Sequence, residues 1–95
     1  MHNIPSHIVS ILPIEGTEAF EDGRMLQTYE VTAVSRISKE TNTRRMKFSK
    51  QQLHAWANGE DLVQNCFPQL SPEDREFLMT GITPEEWDSM FGEEE

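Results

Sequence analysis

This 95-residue chain has one cysteine, no two glycines close enough to form a phosphate loop, and no apolar run approaching the roughly 20 residues a membrane helix requires. Each absence removes a class of function. A lone Cys66 excludes an internal disulfide and a cysteine-based zinc site, and agrees with a reducing compartment. Gly16, Gly23, Gly59, Gly81 and Gly92 stand apart from one another, which argues against nucleotide chemistry. The start Met1-His2-Asn3 lacks the charged-then-apolar order of a secretory signal, so an intracellular protein with no membrane partner is expected. Apolar residues are scarce at 36%, aromatics at 8%, and the mean hydropathy is -0.62. That suffices for one thin core, because a chain of this size buries only about two-thirds of its unfolded surface. One domain over residues 1–95 follows, with stability low enough for a partner or a second copy to matter.

Groups able to carry catalysis are also missing in any paired arrangement. His2, His7 and His54 have no metal-ligand spacing with one another or with Cys66, so no metal and no cofactor is expected. Glu73 with Asp74, and Glu85 with Glu86, are neighbours on helices and therefore do not face each other as acid and base. Cys66 sits before Phe67-Pro68 in an apolar context and reads as a small buried hydrophobe. Trp56, Trp87, Phe67, Phe77 and Phe91 fall at helical spacing and read as core rather than as a binding platform. The chain is expected not to be an enzyme.

What is present divides at Phe48. Before it the pattern is extended. The β-branched run Ile8 to Leu12 predicts a first strand ending at Pro13, and Gly16 to Gly23 an acidic loop. Over Met25 to Ser38 the alternation of Tyr29, Val31, Ala33 and Ile37 predicts a half-buried strand. After the polar turn Lys39 to Thr43, Met46 and Phe48 resume the alternation, which makes residues 25–48 an antiparallel hairpin with its basic residues mostly outward.

After Phe48 the pattern is helical. Ser49 with Gln52 fits a capping box, Phe48 with Leu53 a hydrophobic staple, and Gly59 a stop, which predicts a helix over Lys50 to Asn58. A short helical turn over Glu60 to Phe67 ends at Pro68. Ser71-Pro72-Glu73-Asp74 and Thr83-Pro84-Glu85-Glu86 each combine a cap, a proline at the first helical position and acids against the positive end of the dipole. Phe77 and Leu78 are expected inward on the third helix, which Gly81 closes. Ile82 and Trp87 staple the fourth, with Met90 and Phe91 as buried anchors and Glu93 to Glu95 as a tail. The prediction is an α+β domain: a small antiparallel hairpin sheet of two to three strands, packed by three or four short helices from residues 49–92.

Charge follows the same division. Residues 1–23 hold four acids and no Lys or Arg, residues 24–50 hold seven basic side chains against two acids, and residues 51–95 hold eleven acids against Arg75 alone. The acidic helical half therefore offers a partner-binding surface, with Glu73, Asp74, Glu76, Glu85, Glu86 and Asp88 as contacts for a protein bearing a basic patch. Carboxylates arranged in that way can also mimic a nucleic-acid backbone. The alternative is a nucleic-acid interface on the hairpin, from Arg36, Lys39, Arg44, Arg45 and Lys47. It lacks interleaved exposed aromatics and sits between acidic segments, so a solvated face pairing with the protein's own acids is the simpler reading. A third reading is a homo-oligomer in which the basic sheet of one copy meets the acidic helices of the next.

Four segments carry a resemblance: Val34-Ser-Arg-Ile-Ser38, Gln52-Leu-His-Ala-Trp-Ala-Asn-Gly59, Val63-Gln-Asn-Cys-Phe-Pro-Gln-Leu-Ser71 and Arg75-Glu-Phe-Leu-Met-Thr-Gly-Ile-Thr-Pro-Glu-Glu-Trp-Asp88. Together they resemble a family of short uncharacterised proteins of bacteriophages and uncultured viruses, small single-stranded DNA phages among them. The resemblance spans about Val31 to Phe91, is most specific over Arg75 to Trp87, and leaves the first 23 residues unmatched. It implies a viral origin and the bacterial cytoplasm as the place of work. It also implies one of two roles, a virion or assembly component, or an accessory factor that blocks a host enzyme or defence complex. No catalytic residue comes with it.

Overall fold

The computed structural model describes residues 4–21 and 23–91, the side chains of Met90 and Phe91 excepted. Its strands are β1 (Ile8–Pro13), β2 (Ala19–Glu21), β3 (Arg24–Val34) and β4 (Thr41–Phe48), and its helices are α1 (Lys50–Ala57), α2 (Val63–Cys66), α3 (Pro72–Thr80) and α4 (Pro84–Phe91). The class is α+β, as the sequence predicts. The sheet is larger than predicted, because four strands are present among the described residues. The expected burial of Met90 and Phe91, and the expected tail at Glu93 to Glu95, lie outside the described residues, as does Asp22 of the expected acidic loop.

β3 is the spine of the sheet. β4 pairs with it antiparallel from Val34↔Thr41 to Gln27↔Phe48, while β1 and β2 take successive stretches, from Ile8↔Ala33 to Pro13↔Tyr29 and from Ala19↔Leu26 to Glu21↔Arg24. The segment expected to be an acidic loop thus contains a strand. Its connection to β3 is two residues long and carries Gly23 at φ 77°, the backbone a tight hairpin turn demands. The main strand ends at Val34 and not at Ser38. Buried Ser35 folds the chain over, its Oγ accepting the Ile37 and Ser38 N–H groups and its N–H donating to the Glu40 carbonyl. That local hydrogen bonding outcompetes the ladder and leaves Ile37 exposed.

Alternation puts Tyr29, Val31, Ala33, Met46 and Phe48 on one face of the sheet, and that face is covered by Trp56, Val63, Cys66, Phe77 and Leu78 of the helices and by Phe67 and Leu70 of the connection between α2 and α3. A column of rings crosses the layer. Tyr29 stacks on Phe48 with centroids 4.5 Å apart, Phe48 meets Phe67 at 5.0 Å, and Phe67 meets Trp56 edge-on at 5.7 Å. Such pairs add about 0.5–1.5 kcal/mol each beyond the area they bury, which matters in a core this thin. The opposite face carries Glu30, Thr32, Thr43, Arg45 and Lys47, and no helix lies over it among the described residues.

The helix starts follow the sequence grammar. Ser49 and Gln52 form both bonds of the capping box at 3.0 Å, and Gln52 goes on to pair reciprocally with the Gln69 amide. Ser71 accepts the Asp74 N–H at 3.1 Å. Thr83 and Glu86 complete a second box, the hydroxyl accepting the Glu86 N–H and the carboxylate accepting the Thr83 N–H, both at 3.2 Å.

α3 is held to the sheet by its carboxyl end. The last carbonyls of a helix have no partner within it. Here the Leu78 carbonyl accepts from His7 Nε2 at 3.0 Å, the Thr80 carbonyl from the Arg36 N–H at 3.1 Å, and the Gly81 carbonyl from the Asn42 amide at 3.1 Å. Gly81 makes this approach feasible, since its φ is 75° and a Cβ there would lie 2.6 Å from the Val34 carbonyl oxygen.

Candidate functional site

The six acidic residues expected to bind a partner all lie on α3 and α4, but they do not form one uniform surface. Asp74 is drawn inward. Its Oδ1 accepts from Arg44 Nη2 at 2.8 Å and Nε at 3.1 Å, and the side chains retain only 29% (Arg44) and 18% (Asp74) of their exposure. Glu86 is engaged as well: it accepts from the Ser38 hydroxyl at 2.6 Å and the Asn42 amide at 3.2 Å, besides capping α4. The Ser38 hydrogen bond in particular, with those from Asn42, Ser35 and Thr83, holds the Glu86 carboxyl below the usual carboxylate range against a smaller effect of burial. Both acids tie the helices to the sheet. The carboxylates of Glu73, Glu76, Glu85 and Asp88 have no hydrogen-bond or ion-pair partner among the described residues, and Glu73, Glu85 and Asp88 are exposed.

The five cations of the alternative interface are dispersed. Arg44 faces the helices and not solvent, which corrects the outward placement expected for the hairpin's basic residues. Arg45 and Lys47 do lie on the open face, where Arg45 stands 3.7 Å from Glu30 and Lys47 3.1 Å from Glu21. Arg36 and Lys39 sit in the exposed turn, with Lys39 at φ 65° and its ammonium donating to the Arg36 carbonyl. Three of the five are thus beside carboxylates of this chain, and a polyanion would have to displace those acids first. The pairs on the open face are exposed and individually weak; the Arg44 pair is the better shielded.

Sequence alternation contained the signal for Arg44. Met46 and Phe48 point to the core, so Arg44 and Asn42 share their parity, and both reach the helices. Their partners lie 30 to 44 positions away, which no local pattern reveals.

Two clefts flank the start of α4. One of 260 Å³ runs between the first turns of α3 and α4, lined by Pro72, Glu73, Glu76, Ile82, Pro84 and Trp87. The other, of 360 Å³, lies against the β3–β4 turn and is lined by Ile37, Ser38, Glu40, Glu85, Glu86 and Ser89. Carboxylates rim both. A larger and more polar hollow of 530 Å³ near α1 and α2 sets Arg24 against Glu60 and Asp61 and includes Cys66 in its wall. Cys66 is 7% exposed, and burial, with the charges of Asp61 and Glu60, pushes its thiol above the ordinary value, so the thiolate needed for nucleophilic or metal chemistry is disfavoured.

Among the described residues, no three His, Cys, Asp or Glu side chains come together in a group that could hold a metal ion, and no helix is long and apolar enough to cross a membrane. The chain matches no family model, no curated protein and no solved structure.

Proposed function

We propose that this chain is a non-enzymatic accessory protein of phage type, which binds a host protein with a basic surface and inhibits or redirects it through the acidic face of α3 and α4. The observation that supports this reading is the set of carboxylates left around the α3–α4 junction. The carboxylates of Glu73, Glu76, Glu85 and Asp88 have no partner among the described residues, whereas Arg44, the basic residue of the sheet that reaches these helices, is already taken by Asp74. The surface therefore presents uncompensated negative charge beside apolar clefts, a combination that steers a cationic partner and then gives it something to bury against. The resemblance to phage proteins adds the bacterial cytoplasm as the setting and a defence or nucleic-acid-handling complex as the kind of target.

The test is capture from bacterial lysate on immobilised protein, with Glu73→Lys/Glu85→Lys as the control variant. Recovery of a host protein in stoichiometric amount by the wild type and not by the variant is expected. If no stoichiometric partner is retained at low salt, the reading fails.

A further inference from the structure

We infer that the groove between the first turns of α3 and α4 is a receptor for an arginine side chain on an exposed segment of the partner. The inference deepens the reading above and rests on it. Each wall has a sequence cause. Both helices begin with a capping Ser or Thr followed by proline, which places Pro72 and Pro84 at equivalent first positions. Gly81, in its left-handed conformation, turns the chain between the two helices and brings Ile82 and Trp87 beside the start of α3. Four of the six lining residues, Pro72, Ile82, Pro84 and Trp87, make an apolar floor and walls.

The remaining two are Glu73 and Glu76, three positions apart on α3 and therefore on one side of the helix. Neither carboxylate has a hydrogen-bond or ion-pair partner among the described residues, the one bond at Glu76 being that of its backbone carbonyl with the Thr80 hydroxyl. The cation of α3, Arg75, does not line this groove; it lines an adjoining one, with Val63, Gln64 and Met79, whose wall shares Pro72 and Glu76, and no ion pair joins it to either acid among the described residues. An apolar trough ending in two unpartnered carboxylates matches the two parts of an arginine, a carbon stem that gains from leaving water and a planar fork that donates to carboxylates. Arginine fits better than lysine, because guanidinium is more weakly hydrated, bonds carboxylates bidentately and lies well against an aromatic ring such as that of Trp87. At 260 Å³ the groove falls short of the roughly 300–1,000 Å³ of small-molecule sites, so it suits one long side chain and not a whole ligand. Binding would leave the bonds that Asp74 and Glu86 make to the sheet intact, since neither lines this groove.

The experiment is a titration at low salt, followed by anisotropy, of labelled short peptides with one central arginine between leucines, against matched peptides carrying lysine or glutamate instead. The arginine peptide should bind the wild type most tightly. The variant Glu73→Gln/Glu76→Gln, shown by circular dichroism to be folded, should bind it about tenfold more weakly or worse, the scale set by losing a charge-assisted hydrogen bond. The charge-matched Glu15→Gln/Glu60→Gln variant should stay within about twofold, because those exposed acids lie outside the groove and off α3 and α4. Equal losses in both variants, or equal binding of arginine and lysine peptides, would overturn the groove assignment. The same variants in the lysate capture separate the two ideas. A host protein retained equally by wild type and Glu73→Gln/Glu76→Gln removes the groove and leaves the acidic-surface reading standing, whereas no retained partner removes that reading and leaves the peptide titration to judge the groove alone.

Discussion

Gly81→Ala should be among the most damaging single-atom additions this protein can receive. The residue ends α3 at φ 75°, and a Cβ there would sit 2.6 Å from the Val34 carbonyl oxygen and 3.0 Å from its carbonyl carbon. Two costs follow. Holding an L-residue in the left-handed region costs about 1–2 kcal/mol. Relieving the clash requires the end of α3 to move off the strand, and three bonds cross that gap: His7 to the Leu78 carbonyl, the Arg36 N–H to the Thr80 carbonyl, and Asn42 to the Gly81 carbonyl. Losing one or two of them, at about 1 kcal/mol net apiece, brings the total to roughly 2–4 kcal/mol. A domain of this size has stability near the low end of about 5–15 kcal/mol, so the melting temperature should fall by roughly 10–30 °C. Urea unfolding followed by tryptophan fluorescence measures the change directly. Gly16→Ala is the internal control, because Gly16 has φ 84° but nothing within 4 Å of an added Cβ, so only the conformational cost of about 1–2 kcal/mol applies. If the two variants lose the same stability, α3 is not packed against β3 as described.

Arg44→Ala and Asp74→Ala should each destabilise the fold, and a double-mutant cycle should return a coupling of about 1 kcal/mol that shrinks little in salt, unlike the exposed Arg45–Glu30 and Lys47–Glu21 pairs, whose coupling should approach zero. For pH, Glu86 and His7 act in the same direction from different ends of the scale. The lowered Glu86 carboxyl contributes stability that is present above the unfolded glutamate value, about 4.3, and lost as pH falls through the folded one; Glu86→Gln should flatten that acid limb in urea midpoints. His7 is also lowered, chiefly by burial, so the folded protein prefers the neutral ring; its share is present above about 6.5 and declines as acidification protonates the unfolded chain first, a slope that His7→Gln should remove.

Much of this molecule was legible before any tertiary contact was known, and the reason is the range of the interactions involved. A capping box closes within three residues, so Ser49 with Gln52 announced α1, while Ser71-Pro72 and Thr83-Pro84 announced α3 and α4. A half-buried strand alternates with period two, so Tyr29, Val31, Ala33, Met46 and Phe48 could be assigned to the core. Where local rules gave a wrong boundary, a competing local bond was responsible. Ser35 folded the chain back on its own hydroxyl and ended β3 four residues early, and the three residues of β2 were too few for their pattern to register, although the Asp22-Gly23 dipeptide is itself a hairpin signal.

The tertiary structure alone decided the state of each charge. Composition placed eleven acids in the helical half and seven bases before it, but a carboxylate's role depends on what the sheet sets opposite to it across dozens of residues. Packing α3 and α4 on the strand that carries Asn42 and Arg44 turned Asp74 and Glu86 into ties holding the helices down, and left Glu73 and Glu76 facing an apolar groove. Coulomb attraction falls off too quickly in water for sequence proximity to predict those partners; only burial of the shared core brings them within hydrogen-bonding distance.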